Sequence, residues 1–179
     1  MKAKKEANRR GQLYKYISND ESYNCPSDRR QFDNSKNSWR TYSIMGGLNS
    51  PEMPSITLIK TSQIATPSDK LVFLEEIDPR GWNMNSWNFN DPFNHNDYRW
   101  VDFPGSFHRD SITFGWGDGH ASSYKWKNEN TILLHKDALA GLVEPTGNMS
   151  PSSKYCVDNE DILYLKRHWP RKKGQSISH

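Results

Sequence analysis

The residues best suited to chemistry are Glu75, Glu76, His108, Asp118 and His120. Carboxylate and imidazole groups together bind zinc or another transition metal. Asp118, helped by backbone carbonyls and asparagine side chains, suits calcium instead. Glu75 and Glu76 close the most apolar run of the chain, Leu71-Val72-Phe73-Leu74, which reads as a central strand. Adjacent strand residues point to opposite faces, so this pair cannot form one acid–base dyad, and only one member can face a site. Glu76, His108, Asp118 and His120 make the candidate metal quartet. A purely structural role stays open beside it: His108 bonding a loop carbonyl, Asp118 making a turn, His120 packing beside Trp116. No Walker loop, nucleophile elbow, HExxH helix or EF-hand spacing occurs in the sequence. Gly115-Trp116-Gly117-Asp118-Gly119 alternates its glycines inside a β pattern, which is no phosphate cradle.

Two cysteines, Cys25 and Cys156, lie far apart and outside any C-x-x-C pair. A disulfide between them would stabilise the fold by about 4–5 kcal/mol on the chain-entropy model. It would also place the domain outside the cytoplasm. Two buried thiols is the equal alternative. From Gly81 to Trp100 the chain is rich in asparagine and aromatics. Loops of this length are commonly functional. Trp82, Trp87, Asn88 and Trp100 could present stacking rings and amides to a polysaccharide or another protein.

The elements that position these groups must come from 179 residues, enough for one domain with a real core. Mean hydropathy is low, at −0.96. The 7 Trp, 8 Tyr and 7 Phe nevertheless argue for folding, since each ring can bury a large surface. No apolar run approaches the length of a membrane span, and no signal peptide opens the chain. The net charge of +3 hides an uneven distribution: both ends are basic and the body from 11 to 165 is acidic. A nucleic-acid binder would carry its positive charge on the folded surface, so nucleic acid is not expected as a partner.

Residues 1–17 are expected to be helical, 19–37 to be loop, and 39–44 and 56–60 to be short strands. Ile112, Phe114 and Trp116 share one parity with Ser122, Tyr124 and Trp126. A three-residue loop, Gly117-Asp118-Gly119, would pair 114 with 122 and keep the apolar set on one face, with Gly119 in the left-handed position. Asp158 or Asn159 can cap a short helix through Ile162 and Leu165, stopped by Pro170. The remaining residues from 171 are expected to fray.

His108, nine intervening residues and then Asp118-Gly119 resemble the signature of the prepilin-type "processing-associated H-X9-DG" domain. That domain occurs in pseudopilin-like proteins of planctomycetes, verrucomicrobia and their relatives. Further segments resemble it in the same order: Leu13-Tyr14-Lys15-Tyr16-Ile17 before Cys25-Pro26-Ser27-Asp28, Phe73-Leu74-Glu75-Glu76, Trp82-Asn83-Met84-Asn85-Ser86-Trp87, Trp100-Val101-Asp102, and Asn159-Glu160-Asp161-Ile162 before Trp169-Pro170. The resemblance covers roughly 11–170. It implies a type II secretion or type IV pilus-like architecture, in which an N-terminal helix carries a β-rich head and the helices pack into a filament. The family brings no catalytic residues; His108, Asp118 and Gly119 would be structural, fixing the hairpin and its neighbouring loop. Calcium in a loop of major pseudopilins makes a structural calcium plausible. The prepilin leader, Gly-Phe-Thr-Leu-Ile-Glu and an apolar stretch, is absent from this sequence, while 2–10 looks like the polar tail of a pilin helix. The chain is therefore expected to be an expressed portion, a processed fragment or a natural headpiece.

The expected fold is α+β: an antiparallel β-sheet headpiece with long loops and short N- and C-terminal helices. The division is 1–10 basic helix tail, 11–170 globular domain, 171–179 basic disordered tail. The expected function is an exported, non-enzymatic structural subunit of a periplasmic or cell-surface filament. Its partners would be other pilin-like subunits, reached through the missing helix, which would also be its only membrane contact. An extracellular carbohydrate- or protein-binding module using 81–100 is the alternative. A metal-dependent hydrolase built on Glu76, His108, Asp118 and His120 comes third.

Overall fold

Strand pairing in this chain follows from its alternation of apolar and polar residues. The computed structural model describes residues 6, 8–32, 40–50, 54, 56–78, 86–145 and 149–175. Among these, β1 (Tyr42–Ile44), β2 (Leu71–Glu75), β3 (Ser111–Trp116) and β4 (Ala121–Lys125) form one antiparallel sheet in sequence order. It is accompanied by helices α1 (Tyr14–Ile17), α2 (Glu129–Leu139) and α3 (Glu160–Arg167), and residues 6 and 8–10 are helical as well. The fold is α+β.

The hairpin of β3 and β4 has the register expected of a three-residue loop, with Ile112 opposite Tyr124 and Phe114 opposite Ser122. Gly119 sits at φ 95°, a conformation that disfavours any side chain. The Trp116 indole N–H donates to Ser122 Oγ at 2.8 Å and ties the strands together beside the loop.

The two sheet faces differ. Leu74, Ile112, Phe114 and Trp116 are buried on the core face, in one cluster with Leu134 and Ala138 of α2 and Ile162 and Leu165 of α3. Full burial of such a side chain contributes about 1.5–3 kcal/mol. Tyr42, Ile44, Phe73 and Gly115 look the other way, towards α1. Between them and Leu13 and Ile17 lies an apolar cleft of about 380 Å³.

Both longer helices are capped by asparagine. Asn128 accepts from the Asn130 N–H at the start of α2, and Asn159 from the Asp161 N–H at the start of α3. In α2 the buried residues Thr131, Leu134, His135 and Ala138 fall at helical spacing on one face. His135 Nδ1 accepts the Ser106 N–H at 3.1 Å, which requires a neutral ring. Burial, with Arg30 nearby, pushes this histidine down to about 4.

His135 therefore binds a proton in the unfolded chain before it does in the folded one. Its contribution to stability is complete above its unfolded value of 6.5 and is lost as pH falls towards 4. Glu76 works in the opposite sense, because burial raises it from 4.5 to about 6. The larger histidine shift wins, so stability should fall by about 1 kcal/mol between pH 6.5 and 4.5. His135→Asn keeps an acceptor for Ser106 and removes the titration. Thermal melts should show the acid loss in the parent chain and none in this variant; equal losses in both would contradict the assignment.

Several expectations change. The strand expected at 56–60 is reduced to Leu58, which makes one isolated bridge to Leu48. The loop expected at 19–37 contains 3-10 turns at Asp20–Tyr23 and Arg29–Phe32, the first capped by Asn19. The start of the basic C-terminal tail is held: Ala65 N–H donates to the Arg171 carbonyl at 3.0 Å, and Lys172 bridges Ile64. Much of the basic 1–10 segment, Trp39 and Trp82 lie outside the described residues.

Candidate functional site

The chain places a thiol, a carboxylate and an imidazole together on the α1-facing side of the sheet. Glu75 is the last residue of β2 and is fully buried. Its Oε1 lies 2.9 Å from His108 Nε2, and its Oε2 accepts the Thr113 N–H at 3.1 Å. Cys25 Sγ lies 3.2 Å from the same His108 nitrogen. These three ligand atoms all fall within 4.8 Å of one another, the one such cluster of His, Cys, Asp and Glu among the described residues.

Local sequence explains each placement. Cys25 opens the Cys25-Pro26-Ser27-Asp28 turn, and its N–H donates to Thr41 Oγ1 at 3.1 Å. His108 precedes two non-glycine residues at positive φ, Arg109 at 50° and Asp110 at 64°. Such backbone is unfavourable and persists only where its surroundings hold it. Here it reverses the chain before β3, and the His108 N–H donates to the Ser111 carbonyl at 3.3 Å. Gly105 supplies close packing on the other side, since a Cβ there would stand 3.0 Å from Glu75 Cβ.

Burial, reinforced by Glu75, pushes the Cys25 thiol up to about 11. Burial beside Cys25 and Glu75 likewise raises the Tyr42 phenol to about 12. A nucleophilic relay needs a histidine that meets the thiol through one nitrogen and the carboxylate through the other. His108 offers Nε2 to both, a geometry of convergence on one point.

The expected quartet is not assembled. Glu76 faces away from Glu75, as strand alternation requires, and its carboxylate is bonded to the Ser43 hydroxyl. Asp118 and His120 sit exposed on the β3–β4 loop, where Asp118 Oδ1 meets His120 Nδ1 at 2.6 Å. The His120 ring stacks on Trp116 at 5.4 Å. So the turn and packing roles open to Asp118 and His120 are the ones seen, and His108 bonds side chains rather than a loop carbonyl. Cys25 and Cys156 are not joined; both are buried thiols. Nothing in the sequence spacing of Cys25, Glu75 and His108 signals that they meet.

The asparagine-rich segment offers no open aromatic platform among its described residues. Trp87 and Trp100 are both fully buried, edge to face at 6.3 Å, and Phe89 stacks on Trp100 at 5.9 Å. Asn88 donates its N–H to Asp102 Oδ2 at 2.7 Å. Lys166 of α3 gathers the stretch 91–97, its ammonium donating to the carbonyls of Asp91, Asn94 and Asp97. Burial pushes Lys166 down to about 8 against the pull of Asp97 and Asp91.

A second buried charge ties the cysteine turn to the residues that follow β2. Arg30 forms a fork on Asp28, with Nε to Oδ1 at 2.9 Å and Nη2 to Oδ2 at 2.7 Å. It also donates to the carbonyls of Glu76 and Asp78 just beyond β2. Asp28 accepts the Thr41 hydroxyl at 2.7 Å, so one carboxylate links the cysteine turn to the approach to β1.

Comparisons of the chain with protein-family models, with curated proteins and with solved structures find no match.

Proposed function

We propose that this chain is the non-catalytic headpiece of an exported structural subunit, one that assembles into a filament of the type II secretion or type IV pilus kind. The observation that carries this reading is the N-terminal segment laid over one face of an antiparallel sheet, with an apolar cleft between them. A filament subunit needs a helix that both seats its head and meets its neighbours. Tyr14 stacks on Tyr23 at 6.5 Å and anchors the segment, while Leu13, Tyr16 and Ile17 stay exposed on it. Exposed apolar residues grouped at one site are a usual mark of an interaction surface. The resemblance to the H-X9-DG domain points the same way, and two of its elements, the Cys-Pro turn at Cys25 and the motif histidine His108, meet in space.

Tyr16, at 77% exposure, is the position to probe. A photo-reactive side chain placed there, in cells that make the protein, should give a ladder of adducts at multiples of the subunit mass. Adducts to one unrelated partner, or none, would count against filament assembly.

A further inference from the structure

We propose that Cys25, Glu75 and His108 form a binding site for a single divalent transition-metal ion of the zinc class. The site is independent of the filament reading. Its donor set is one sulfur, one imidazole nitrogen and one carboxylate oxygen, all within 4.8 Å of one another. Such a set suits a borderline-soft cation and is a poor one for calcium or magnesium, which prefer oxygen throughout.

The two donor separations that involve His108 lie close to those around a bound ion, and the sulfur and carboxylate oxygen are within 4.8 Å of each other. Metal–ligand bonds of about 2.0–2.3 Å at tetrahedral angles separate neighbouring donors by about 3.4–3.6 Å. Here sulfur and nitrogen stand 3.2 Å apart, and nitrogen and oxygen 2.9 Å. An ion would spread the sulfur–nitrogen pair by about 0.3 Å and the nitrogen–oxygen pair by about 0.5 Å. With thiolate and carboxylate both charged and the imidazole neutral, the site would cancel the charge of a divalent ion.

The second layer is already in place. Thr113 N–H holds the other carboxylate oxygen, as outer groups commonly fix a metal-bound carboxylate. The Thr41 hydroxyl meets the Cys25 backbone and the Asp28 carboxylate, which fixes the cysteine turn. Entry is through His108, whose side chain is 37% exposed although Glu75 is fully buried. Three protein ligands leave a fourth position for water on that open side. The ion would pin the cysteine turn, the end of β2 and the turn before β3 to one another.

Cobalt(II) reports on the proposal directly, because a thiolate–cobalt bond adds a charge-transfer band in the near ultraviolet. Titration of the purified, reduced chain should saturate at one cobalt per molecule, with that band present and zinc displacing it. Cys25→Ser and His108→Ala should each abolish the band, whereas Cys156→Ser should keep it. Zinc should also raise the melting temperature of the parent chain, a readout that does not depend on any variant folding. Absence of a thiolate–cobalt band in the parent, or a band that survives Cys25→Ser, would overturn the site.

Discussion

Arg30→Met should destabilise the protein by about 3–5 kcal/mol, the usual result of stranding a buried charge. Arg30 is 4% exposed and Asp28 not at all, so neither has water to fall back on. The methionine would fill much of the volume and leave the Asp28 carboxylate, among the described residues, with Thr41 and the Arg30 backbone N–H. It would also take the donors away from the Glu76 and Asp78 carbonyls. Arg30→Lys should lie between the two, since it keeps the charge and loses the planar fork. Urea denaturation of the three proteins reads the series. A loss below about 1 kcal/mol for Arg30→Met would mean that this network contributes no more than an exposed ion pair does.

Lys166→Met should cost about 2–4 kcal/mol, because hydrogen bonds to a charged donor contribute about 1.5–3 kcal/mol each and do not add fully. The three carbonyls it serves belong to one stretch, Asp91 to Asp97, and the ammonium also lies 5.1 Å over the Phe89 ring. The damage should therefore be local at first: faster amide exchange over 91–97 while β3 and β4 keep their protection. Uniform loss of protection across the sheet would show that Lys166 supports the whole fold rather than this loop.

These two residues also mark where sequence reasoning reached its limit. The hairpin was legible because alternation and a glycine at the left-handed position fix both register and loop length. β2 was legible as the most apolar run, and α3 because Asn159 and Pro170 bracket it. The helix Glu129–Leu139 is hard to see in the sequence although Asn128 caps it, since its buried face mixes Thr131 and His135 with Leu134 and Ala138 and so looks polar. Lys166 and Arg30 look like solvated charges in the sequence; only the tertiary fold brings carbonyls and a carboxylate around them. The same holds for the site. Strand alternation allows just one of Glu75 and Glu76 to face a site, and the expected quartet takes Glu76, whereas it is Glu75 that meets His108. Choosing Glu75, and adding Cys25 from a turn far away in sequence, needed the fold itself.

The most direct measurement on the proposed function is the intact mass of the protein isolated from its own host. A filament subunit needs an apolar helix of about 20 residues ahead of this head. The expected mass is therefore well above 20.8 kDa, with the excess at the N-terminus. A native mass of 20.8 kDa would contradict assembly through such a helix.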